Sequence, residues 1–78
     1  MNKDELRSMT IKYIEEEYPE QICELYNRII KLNSVGLKKV SYSADDERLK
    51  VKIKTLFTLL GYTVSVGDDE DLYIEWDD

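Results

Sequence analysis

The chain has 78 residues, 42% of them hydrophobic and 36% charged, with a net charge of −6 at neutral pH. That length holds one domain with one modest core, and a single cysteine, Cys23, excludes a disulfide framework. The apolar residues recur at helix and strand periods, which excludes a disordered acidic tail and predicts a folded domain of about 3–5 kcal/mol stability.

No uncharged apolar stretch of signal-peptide length lies in MNKDELRSMTIKYIEEEYPE, and no apolar run approaches membrane-spanning length. With a lone cysteine, this pattern leads us to expect a soluble, cytoplasmic protein. The charge is segregated along the chain. Residues 1–27 carry −4, residues 28–54 carry +5, and residues 55–78 carry −7 with no basic side chain at all. Such asymmetry points to association through charged surfaces.

The N-terminal third has helical periodicity. Leu6, Met9, Thr10, Tyr13 and Ile14 share one helix face. Pro19 then interrupts, and proline is tolerated in a first turn but costs about 3 kcal/mol inside a helix. We therefore expect two helices in residues 1–33, with one kinked helix as the alternative. The second presents Ile22, Leu25, Tyr26 and Ile29 inward, with Ile30 or Leu32 extending that face, and Asn33, Ser34 and Gly36 end it.

Val40-Ser41-Tyr42 then suits a short strand. Ser43 is expected to cap a helix over 44–60, with Asp46 three residues on and acidic residues in the first turn. Leu49, Ile53, Leu56, Phe57 and Leu60 form its apolar stripe, and Gly61 fits the position just past its end. Residues 62–66 and 72–76 alternate as two strands of a hairpin around Gly67–Asp71.

These elements predict one α+β domain over 1–78, in the order α(α)βαββ, with a helical part at 1–33 and a βαββ part at 37–78. The expected sheet is three-stranded and mixed, with helices packed on at least one face. A right-handed crossover makes the first two strands parallel, and the apolar third strand is placed between them, antiparallel to both.

Catalytic chemistry has little to draw on. Histidine is absent, so no Ser–His or Cys–His nucleophile and no Cys/His metal cluster can be assembled. The glycines at 36, 61 and 67 belong to no phosphate-binding pattern, and Asp68-Asp69-Glu70-Asp71 lacks the alternating ligands of a calcium loop. Cys23, beside Glu20 and Glu24, reads as a half-buried structural residue. We expect no enzyme, no catalytic residue, no cofactor and no metal.

What stands out is surface charge. Glu15, Glu16 and Glu17 close the first helix, where the helix dipole disfavours them, so local stability does not account for them. With Asp68, Asp69, Glu70, Asp71, Tyr73 and Glu75 they are the candidate partner-binding residues, suited to a basic protein surface. Val51, near Thr55 and Thr58, points away from its helix's apolar stripe, and Tyr18, Tyr42 and Tyr73 are candidates for exposed contact residues.

In size, acidity and lack of catalytic residues the chain resembles small proteins encoded by bacteriophages and other mobile elements. The first functional reading is a protein-binding module that inhibits or modulates a larger host or defence protein. The second is a nucleic-acid binder using Lys38, Lys39, Lys50 and Lys54, opposed by the acidic remainder of the chain. The third is a self-assembling structural protein, a homo-oligomer in which the +5 segment meets a neighbour's −7 tail.

Overall fold

The computed structural model, which describes residues 1–77, has three helices and a three-stranded sheet. Asp78, the last acidic residue of the C-terminal third, lies outside the described residues. The N-terminal helices are α1 (Lys3–Glu17) and α2 (Pro19–Ser34), and the break between them is a single residue. Tyr18 has φ −132 and ψ 60, out of the helical region, as a residue before proline is pushed to be. Its N–H still donates to Ile14 O at 3.1 Å and its carbonyl accepts from Ile22 N at 3.0 Å, so the chain turns without losing either bond.

Strand β1 (Lys39–Tyr42), helix α3 (Glu47–Leu59), and strands β2 (Thr63–Val66) and β3 (Leu72–Glu75) follow. Helix α3 begins later than the expected residue 44. Asp46, not Ser43, is its N-cap and accepts from Leu49 N at 2.7 Å. A carboxylate caps at least as well as a hydroxyl and also carries the charge favoured at a helix start, so the later cap wins.

Helices α2 and α3 end by the same device. After α3, Gly61 has φ +96, its N–H reaches Thr58 O at 3.1 Å, and Tyr62 N reaches Phe57 O at 2.9 Å. After α2, Gly36 has φ +87 and Leu37 N reaches Leu32 O at 2.9 Å. These are Schellman closures, in which only glycine takes the left-handed residue without steric cost.

The sheet order is β1-β3-β2, and both ladders are antiparallel. The expected mixed sheet is thus corrected. The first two strands run the same way but never pair, because β3 lies between them with Val40 and Val64 opposite Ile74 on either side. Val40, Leu72 and Ile74 form one core with Ile14, Ile22, Leu25 and Ile29 of the N-terminal helices and Leu49, Ile53, Leu56 and Phe57 of α3. Helices α2 and α3 cover one sheet face and α1 packs against those two helices, so the domain has a helical layer on a sheet layer. Burying each of these large apolar side chains contributes about 1.5–3 kcal/mol.

Phe57, fully buried, meets Tyr26 and Tyr62 edge-on with ring centroids 5.8 and 5.2 Å away, and Tyr62 meets Trp76 at 6.1 Å. Trp76 Nε1 donates to Asn33 Oδ1 at 3.0 Å, which ties the end of β3 to the last turn of α2. Two expectations fail at the surface. Cys23 is exposed, one position round α2 from buried Ile22. Tyr18, Tyr42 and Tyr73 are each half-buried rather than exposed. On α1 only Ile14 is buried, while Leu6, Met9 and Tyr13 face out. Among the described residues no helix is long and apolar enough to cross a membrane.

Candidate functional site

The β2–β3 hairpin tip is built by backbone and side-chain bonds together. Gly67 N donates to Asp71 O at 3.0 Å and Glu70 N donates to Gly67 O at 2.9 Å, closing the turn. Glu70 takes φ 65, the one non-glycine residue in the left-handed region among those described. Asp69 then holds both flanks, accepting from Asp71 N at 3.1 Å and from the Tyr73 hydroxyl at 2.6 Å. The Tyr73 bond holds the Asp69 carboxyl below the usual carboxylate range, and the same bond raises the Tyr73 phenol.

Tyr73 lies on the sheet face away from the helices, as the alternation with Leu72 and Ile74 requires. Lys39 Nζ sits 5.1 Å from its ring centroid and 3.5 Å from Glu75 Oε1. Tyr73 and Glu75 are thus engaged within the sheet by a neighbouring strand.

Tertiary structure brings this tip to the start of α3. Asp45, Asp46, Glu47, Asp69, Glu70 and Asp71 line one depression of about 290 Å³ with Ser43, Ala44 and Lys50. Lys50, with only 15% of its side chain exposed, is the sole basic residue among them and stands 3.9 Å from Glu47 Oε1. Six carboxylates around one ammonium leave this end strongly negative. In the sequence Asp45, Asp46 and Glu47 read as first-turn residues favoured by the helix dipole, and no local signal joins them to the hairpin tip. Only Asp46 is absorbed by the cap.

The other acidic run divides. Glu15 accepts from the Tyr26 hydroxyl at 2.8 Å, facing α2. Glu17 accepts from Arg48 Nη2 at 2.7 Å and lies 3.7 Å from Lys52 Nζ, facing α3. Glu16 is exposed. The unfavourable helix-end position of Glu15 and Glu17 is thus offset by donors on α2 and α3, a tertiary reason that no local rule supplies. Burial, reinforced by the Glu15 bond, pushes the Tyr26 phenol well above its ordinary value, and burial likewise raises Tyr42.

The four lysines of the nucleic-acid reading do not share an element. Lys38 and Lys39 lie at β1, on one edge of the sheet, and Lys38 Nζ donates to Asn33 Oδ1 at 2.8 Å. Lys50 and Lys54 lie on α3, which packs against β2 at the other edge. Among the described residues, no three carboxylate or thiol side chains are grouped so as to hold a metal ion.

No family model, curated protein or solved structure matches this chain. The functional reading therefore rests on surfaces and their chemistry.

A second surface runs along α1 and α3, which lie antiparallel. Arg48 and Lys52 near the start of α3 meet Glu17 at the end of α1, and Leu59 at the far end of α3 lines one shallow depression with Lys3 and Leu6. Between them Leu6, Met9, Tyr13 and Val51 line an apolar groove of about 400 Å³ with Thr10 and Thr55. Val51 is 56% exposed, as its place outside the α3 stripe predicts. That the α1 residues join it is decided by the angle at which α1 docks.

Proposed function

We propose that this chain is a non-enzymatic protein-binding module whose acidic end engages a basic surface on a larger protein, as an inhibitor or modulator of that protein. The observation that carries the reading is the meeting of Asp45, Asp46 and Glu47 with Asp69, Glu70 and Asp71 around Lys50 alone. These carboxylates come from two segments more than 20 residues apart, and the hairpin tip among them is closed by backbone bonds and by Asp69. A preordered charged surface loses little side-chain freedom on binding and steers an oppositely charged partner toward itself. Tyr73 and Glu75 act in this reading as supports of the tip and its strand, and Glu15 and Glu17 as internal ties.

The test is capture of partners from the native cell at low salt, followed by replacement of Asp45, Asp69, Glu70 and Asp71 with their amides. Asp46 is kept so that the α3 cap survives. A basic protein should be recovered by the parent chain, with affinity falling as salt rises, and the folded amide variant should bind about tenfold or more weakly. A folded variant that binds as the parent does sinks the reading. A low-salt mobility shift with nucleic acid, abolished by replacing Lys38 and Lys39, would favour the alternative.

A further inference from the structure

Helix α1 carries an apolar face that its own chain does not cover. Leu6, Met9 and Tyr13 are 52%, 51% and 76% exposed, and Ile14 is the one buried residue of the helix. At about 100° per residue the three fall within an arc of about 60°, a seam at a 3-4 spacing continued by Glu16. A 15-residue helix is marginal alone, so a face left open in this way is a cost that a partner would remove.

The charges beside the seam specify the occupant. Glu5 and Lys12 flank it on the side away from α3, while on the α3 side Glu17 is already held by Arg48 and Lys52 of its own chain. Two copies of α1 laid antiparallel about a two-fold axis near Met9 bring Glu5 beside the partner's Lys12 on one flank. Leu6 then packs toward the partner's Tyr13. A parallel arrangement would instead stack the two Glu15–Glu17 runs at one end, with the helix dipoles aligned.

We infer that the α1 face, with Val51 of α3 at its margin, is a self-association surface on which a second copy of this chain docks in antiparallel, two-fold fashion. The interface is isologous, so the Glu5–Lys12 pair occurs twice. Its footprint is about 22 Å long and two helices wide, smaller than a standard protein interface, so the dimer is weak and concentration-dependent. This inference is independent of the acidic-end proposal. A dimer could form with no basic partner, and a basic partner could bind a monomer.

The experiment is sedimentation of the full chain from low-micromolar to near-millimolar concentration. The parent should pass from one-chain to two-chain mass. Met9→Glu, at a half-exposed position, should keep its circular dichroism spectrum and remain at one-chain mass throughout. Lys12→Glu alone and Glu5→Lys alone should each weaken association about tenfold, since each turns two attractive pairs into repulsive ones. An equal mixture of those two variants should recover parent-like association, because the mixed dimer restores both pairs. A parent that stays at one-chain mass at every concentration overturns the proposal, as does a Met9→Glu variant that dimerises normally. A mixture that fails to recover overturns the antiparallel arrangement.

Discussion

The hydroxyl of Tyr73 donates to Asp69 Oδ2 at 2.6 Å while its ring lies over Gly67, where any Cβ would collide with ring carbons and with Asp69 Oδ1. One pair of side chains thus sets the shape of the acidic tip and the titration of both its members. Glycine at 67 is required here for space, whereas at 36 and 61 it is required for a positive φ.

Replacing Tyr73 with Phe should let the Asp69 carboxyl return toward its ordinary pKa. The folded value lies below the unfolded one, so the stabilisation from this bond is present above about pH 4 and fades as pH falls through the folded value. Carbon-detected NMR titration of Asp69 in parent and Tyr73→Phe checks this. Coincident midpoints would show that the bond is not made in solution.

Glu70 occupies a backbone region with φ 65 that costs a residue with a Cβ of order 1 kcal/mol or more. Glu70→Gly relieves that cost but adds freedom to the unfolded chain, leaving a net gain of about 0.5–1 kcal/mol. For a domain of this size the melting temperature should rise by several degrees, about 4–8 °C for 1 kcal/mol. Calorimetry decides it, and a lower melting temperature would contradict the turn geometry.

The N-cap of α3 can be located by paired substitutions. Asp46→Ala removes the acceptor of Leu49 N and should cost about 1 kcal/mol, within the usual range of about 0.5–2. Ser43→Ala should change stability by less than about 0.5 kcal/mol, since Ser43 lies outside the helix. Urea midpoints of the two variants in the reverse order would place the cap at Ser43.

Stability should also fall at high pH through Tyr26. Its folded pKa is raised above the unfolded value, so its contribution is complete below about pH 10 and is lost as pH climbs toward the folded value. Tyr26→Phe removes the donor to Glu15 and should cost about 1–2 kcal/mol near neutral pH, with part of that group exposed. The variant should then show a shallower decline of its urea midpoint between neutral pH and pH 11. Equal slopes would mean that Tyr26 ionises freely in the folded chain.

Period, punctuation and caps made most of the fold legible in the sequence. The helix break at Pro19, the stops at Gly36 and Gly61, the inward set of Ile22, Leu25 and Ile29, and the hairpin around Gly67–Asp71 all follow from rules acting over four or five residues. The outward position of Val51 follows too, because a helix stripe is a local property.

What only the tertiary structure decided concerns neighbours distant in sequence. Local rules did not resolve whether Glu15 and Glu17 lay free or met donors, since Tyr26, Arg48 and Lys52 stand on other helices. Nor could they join Asp45–Glu47 to the hairpin tip, or show that α1 turns Ile14 inward and leaves Leu6, Met9 and Tyr13 outside. Periodicity says which residues share a face; the docking angle of the element says which face is covered. The acidity evident from composition became a surface only when α3 and the β2–β3 hairpin brought their carboxylates to the same end of the molecule.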